Sequence, residues 1–372
     1  MITYSNRYSE LNAVFTPGKN ISLPDVTIDI RFYPFTSSIS FPTEDALTEA
    51  PSIGKIYENQ SFEYPVFVPR GCRKSDQAIL LLHGLNERSW NKYLTWAEYL
   101  CSHTGKPVIL FPLAFHINRS PQSWSNPRSM QSLMNLRRKQ NGDDRSISFA
   151  NAALSERMSL HPLLFYTSGR QTFFDMEQLC INIRQGKHPL FTAGTDINIF
   201  AYSIGAFLAQ VMLMTDPGGI FSDTKLFMFC GGSIFSSMVG ISRSIMDKSA
   251  FDKLHKFYLT DFENTQNLAR DKVFRSFYSM ISPDRNQTER EDFFNQMGDR
   301  LLGISLKQDT VIPFEGVLQA LGSDCTRKCI SLEDFSFLYT HENPFPIGAH
   351  TNQTAVNDEF KNVFFQAAGF LA

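Results

Sequence analysis

The residues best suited to chemistry in this sequence are a serine, two aspartates and a few histidines placed close to the ends of apolar runs. Ser203 stands in "INIFAYSIGAFLAQVMLM", where a strand-like run turns into a segment with helical spacing. Asp309 follows "LLGISLKQ", His341 lies in "LYTHENPFP" and His83 closes "AILLLH". A serine hydroxyl attacks a carbonyl only when a base takes its proton. The base works best when a carboxylate fixes its tautomer and steadies the imidazolium that forms. Serine, aspartate and histidine at separate strand ends therefore point to acyl transfer. Crowding at a strand-turn-helix junction favours small residues two places before and after the serine, and Ala201 and Gly205 meet that demand. The pentapeptide is AxSxG where GxSxG is usual, a mild departure because small volume is what matters. Two plainer readings stay open: Ser203 could cap the following helix, and Asp309 could serve only as a turn former.

Such residues need a rigid scaffold. "AILLLHG", "PVILFPLAF", "INIFAYS", "TKLFMFCGG", "RLLGISLKQD" and "CISLEDFSF" read as strands, alternating with helical segments such as "SWNKYLTWAEYLCSHTG", "TFFDMEQLCINIRQG" and "FEGVLQALG". Phe360, Val363, Phe364, Ala367 and Leu371 trace one face of a closing helix. This alternation predicts an α/β fold with a mostly parallel central sheet, helices on both faces, and a ligand crevice beyond the strands' C-terminal ends. Residues 1–75 read as extended, with edge strands in "ISLPDVTIDIRFYPF" and "FEYPVFVPRG". The alternation lapses over 115–168 and 233–297, which read as insertions forming a helical cap over the crevice. All 372 residues are expected to form a single domain.

Composition removes several alternatives. A net charge of −2 without a long basic run argues against nucleic-acid binding, and "NLRRKQ", the densest basic patch, reads as a solvated helix face. No run approaches the roughly 20 apolar residues that span a bilayer. The first residues lack the basic and apolar regions of an export signal, so a cytoplasmic location is expected. The six cysteines read as buried thiols, with Cys325 and Cys329 the pair for which a bridge is conceivable. With no HExxH, no Cys/His cluster and no GxGxxG after the relevant strand, neither metal nor cofactor is expected. The 34 phenylalanines suggest an aromatic-rich core or pocket, and the oligomeric state is left open.

The elbow "FAYSIGAFLAQ", the "LLLHG" strand end, the segment "SLKQDTVIP" and a histidine before a C-terminal helix occur in the order Ser, Asp, His. In this the chain resembles the α/β-hydrolase superfamily over about residues 78–372, and "HGLNERSW" and "THENPFP" resemble a bacterial subfamily within it. The resemblance implies Ser203 as nucleophile, Asp309 as the acid with Asp324 in reserve, and His341 as base with His350 as the alternative. His341 is favoured because it lies four residues after the last expected strand, where a base is easier to hold. The resemblance also implies an oxyanion hole from the backbone N–H groups of Leu85 and Ile204. His83 is expected to shape that loop rather than react, and His116 to line the pocket. Arg88, Trp90, Arg119 and Trp124 lie near strand ends, where contact with substrate and a structural role are both open. The function implied is a serine hydrolase acting on a small-molecule carboxylic ester or thioester through an acyl-enzyme. Alternatives are an acyltransferase or peptidase on the same fold, or a silent scaffold used for binding.

Overall fold

Apolar runs that feed two cores at once build the sheet at the centre of the chain. The computed structural model describes residues 3–39, 56–142, 144–266 and 268–372. Strands β1 (Ile21–Ser22), β2 (Ile28–Thr36) and β3 (Ser61–Pro69) form an antiparallel edge, and β3 also runs antiparallel to β5 (Val108–Leu110). From there β5, β4 (Ser75–Leu82), β6 (Phe191–Tyr202), β7 (Leu226–Phe229), β8 (Leu301–Leu306) and β9 (Ile330–Glu333) pair in parallel, completing a nine-stranded sheet in the order β1-β2-β3-β5-β4-β6-β7-β8-β9. Along β4 and β6 successive side chains go to opposite sides. Leu80, Leu82, Ile199 and Ala201 enter one apolar core, and Ile79, Leu81, Phe200 and Tyr202 the other.

Helices α1 (Tyr4–Val14), α2 (Asn91–Thr104) and α12 (Gln353–Leu371) cover the second core. The first is covered by α4 (Ala152–Leu160), α5 (Leu164–Arg184), α6 (Ile204–Thr215), α7 (Lys248–Lys256), α8 (Lys272–Ser279), α9 (Gln287–Met297), α10 (Phe314–Leu321) and α11 (Ser323–Cys329). Helix α3 (Pro127–Asn141) packs on α4 at the periphery. A mostly parallel sheet with helices on both faces and a strand-turn-helix at Ser203 is an α/β-hydrolase fold. No helix among the described residues is long and apolar enough to cross a membrane.

Three expectations need correction. The first residues are not all extended: 4–14 form α1, whose Tyr4, Arg7 and Leu11 are buried while most of the rest is polar. So sparse an apolar pattern is weak in sequence, and the helix is held by packing, with Tyr4 stacked 4.2 Å from Phe360 and Arg7 paired to Glu98 of α2. Residues 40–55 of that region lie outside the described ones. The last strand stops at Glu333, and the "DFSF" that follows sends Phe335 and Phe337 into the core without strand pairing. Arg137 of "NLRRKQ" is buried, not solvated. It holds Asp247 with two bonds of 2.6 and 2.9 Å and Glu156 at 2.5 Å, tying residues 115–168 to residues 233–297. All six cysteines are thiols.

Candidate active site

Ser203 is the single residue between the end of β6 and the start of α6, with φ 58° and ψ −125°. A non-glycine residue adopts such a backbone only where its surroundings impose it. A methyl group at Gly205 would come within 2.8 Å of the Leu82 and His83 carbonyl oxygens, so the helix meets the sheet here through bare backbone. Ala201, where glycine is usual, is accommodated inside the first core. The Ser203 side chain makes no capping bond to α6, against the helix-cap reading; its hydroxyl lies 2.7 Å from His341 Nε2.

Asp309, just beyond β8, divides its oxygens. Oδ1 accepts from the backbone N–H groups of Val311 (2.9 Å) and Ile312 (2.8 Å), while Oδ2 lies 2.7 Å from His341 Nδ1. Turn former and imidazole partner are therefore one residue. A carboxylate only accepts, so Nδ1 carries the proton and Nε2 is left to accept from Ser203. His341 comes well past Glu333, not four residues after the strand. It is fixed instead by Tyr202, whose hydroxyl donates to the His341 carbonyl and whose ring stacks on the imidazole at 5.4 Å. Lys92 sits over the other partner of that stack, 4.7 Å from the Tyr202 ring, and donates to the Glu342 carbonyl at 2.9 Å. Sequence reasoning missed both residues. The available signal was Tyr202 itself, an aromatic at the last strand position beside the serine. His350 is exposed on a turn, and Asp324 is exposed on α11 beside Arg327, so neither joins Ser203.

The loop after β4 completes the surroundings. His83 is fully buried: Nδ1–H donates to the Gly84 carbonyl at 2.8 Å, and Nε2 accepts from the Leu113 N–H at 3.0 Å. Burial pushes its pKa down to about 3, so it is a neutral strut between the loops after β4 and β5. Asn86 donates to the carbonyls of Ala150 and Ser244, anchoring the loop to both 115–168 and 233–297. Leu85, before it, and Ile204, after the serine, both line an apolar cavity of about 60 Å³ together with Phe165, Phe207, Leu208 and Phe277. His116 lines it too, neutral, with its pKa pushed down to about 3 chiefly by burial. Arg119 is structural: fully buried, it pairs with Asp175 at 2.7 Å. Trp90 is buried, Arg88 is exposed, and Trp124 lies half-buried under Arg157.

With the fold and this geometry in place, the class is that of the α/β hydrolases. The chain belongs to the family described as "Family of unknown function (DUF6051)", whose model matches residues 2–372. No curated protein matches it. Among solved structures it is similar to carboxyl esterase 2 from the mycorrhizal fungus Tuber melanosporum, at 11% identity, 99% and 97% coverage of the two chains and TM-score 0.41. It is also similar to a hyperthermophilic esterase from the archaeon Pyrobaculum calidifontis, at 11% identity, 99% and 87% coverage and TM-score 0.44. A lipase in open form gives 13% identity, 92% and 98% coverage and TM-score 0.44. These likenesses are distant, and the fold assignment rests on strand order and the turn at Ser203.

Proposed function

We propose that the protein is a serine hydrolase that cleaves a carboxylic ester or thioester through an acyl-enzyme. The observation that carries this reading is the unbroken chain from the strained Ser203 through His341 to Asp309, both links 2.7 Å. Ser203 Oγ attacks the substrate carbonyl carbon as its proton passes to His341 Nε2. Asp309 stays ionised and holds the imidazolium by Nδ1–H. The carbonyl oxygen, now negative, is received by the N–H groups of Leu85 and Ile204, for which the described residues supply no other acceptor. As the tetrahedral centre collapses, the leaving alcohol or thiol takes the Nε2 proton. Water then repeats the sequence with His341 as base, releasing the acid and restoring the serine hydroxyl. The apolar cavity beside Leu85 and Ile204 receives the acyl chain, and segments 115–168 and 233–297 act as a cap that keeps water from it.

Turnover of short-chain 4-nitrophenyl esters and thioesters tests the reading. Wild-type protein is expected to release product, and Ser203→Ala to lose about a thousandfold or more in kcat. A folded wild-type protein inert towards the whole series would leave a binding scaffold instead.

A further inference from the structure

Beside the apolar cavity lies a smaller one of about 20 Å³, which shares Leu85, Ala114, His116, Phe165 and Ser168 with it and adds Arg157 from α4. Of the buried arginines, Arg290 gives its guanidinium to the backbone carbonyls of Ala320, Ser279, Arg285, Pro283 and Gln319, and the others face carboxylates. Arg119 has Asp175, Arg137 has Asp247 and Glu156, and Arg170, on the wall of the larger cavity, has Asp271. Arg157 has no carboxylate within ion-pair distance among the described residues. Its Nε donates to the Ala153 carbonyl at 3.2 Å, and its Cζ lies 3.9 Å from the centre of the Trp124 ring. Those contacts orient the guanidinium and leave its terminal nitrogens without a partner among the described residues. Burial pushes its pKa down to about 9, so it is still a cation at neutral pH. Across the same cavity, buried His116 donates from Nδ1 to the Ala114 carbonyl at 2.8 Å, and its Nε2 has no partner. A half-buried cation without a carboxylate partner, beside a buried ring nitrogen left unsatisfied, is an arrangement that an anionic ligand would complete.

We propose that Arg157 receives a carboxylate carried by the substrate, so that the preferred substrate is a half-ester of a short dicarboxylic acid, whose free carboxylate stays on the acyl group passed to Ser203. This rests on the hydrolase reading for the bond that is cleaved, but not for the binding itself. A planar guanidinium with free terminal N–H groups matches a carboxylate in a two-point contact, and the small volume limits the chain that can reach it. Arg157 is thus a specificity residue.

Calorimetric titration of Ser203→Ala protein with monomethyl glutarate and with methyl butyrate tests the proposal without turnover. The anionic ester is expected to bind at least tenfold more tightly. Arg157→Gln on the same background is expected to abolish that preference, and Arg157→Lys, which keeps the charge without the fork, to retain part of it. Equal affinity for the two esters overturns the proposal whether or not the Arg157 variants fold, as does a preference that survives Arg157→Gln. If the preference is found but wild-type protein cleaves no ester, the anion site stands and the hydrolase reading fails.

Discussion

A serine hydrogen-bonded to a histidine is ordinary in a protein; what distinguishes Ser203 is the strain of its backbone and the fixed tautomer of the imidazole it meets. If that imidazole is the base, His341→Ala should lower kcat for 4-nitrophenyl ester turnover about a thousandfold, while His350→Ala should stay within twofold of wild type. The reverse result would reassign the base. Asp309→Asn should also lower kcat by a thousandfold or more, because an amide can hold the wrong tautomer. Tyr202→Phe removes the hydroxyl that fixes the His341 carbonyl and should reduce kcat about tenfold with KM little changed, a loss of the size expected from one buried unsatisfied acceptor. Equal loss in KM would point to general disruption rather than positioning. Ser203, Asp309 and His341 were legible as candidates because each follows an apolar run, although His341 lies well past the last strand. Tyr202 and Lys92 were not, since their roles arise from contacts between β6, α2 and the loop after β9 that no local spacing encodes.

At the scale of elements, the strands of the parallel region were readable as aliphatic and aromatic runs, because both of their faces are buried. What could not be read was α1, with few apolar residues, and the early end of β9, where "DFSF" keeps the strand-like pattern but fills the core without a pairing partner. The buried cluster of Arg137, Asp247 and Glu156 was misread for a similar reason: a basic patch looks solvated until its acidic partners, distant in sequence, are brought to it. That cluster joins α3, α4 and the N-terminus of α7, which Asp247 also caps through the Ala250 N–H at 2.9 Å. Arg137→Met should therefore destabilise the protein by about 3–5 kcal/mol in urea unfolding, because it strands a buried carboxylate. Adding Asp247→Asn, which removes the charge and keeps a capping oxygen, should recover part of the loss. A change below about 1 kcal/mol would mean that Asp247 is not held in the interior as described.

Over the whole molecule, three neutral buried histidines, His83, His116 and His188, make folding depend on pH. Burial pushes the pKa of His83 and His116 down to about 3 and that of His188 down to about 4, against an ordinary value near 6.5, so below pH 6.5 the unfolded chain binds protons that the folded one does not. Their contribution to stability is present above pH 6.5 and is lost as pH falls towards 3, by about 2 kcal/mol for each at pH 5. The melting temperature should fall between pH 7.5 and 5, and less steeply in His83→Gln. An equal fall in that variant would place the acid sensitivity elsewhere. Whether Ser203 is an activated nucleophile is tested by the intact mass of the folded protein after treatment with an alkyl fluorophosphonate, followed by peptide mapping. A single adduct is expected on the peptide containing Ser203, and none on Ser203→Ala. An unmodified wild-type protein, or equal labelling of the variant, would contradict that role.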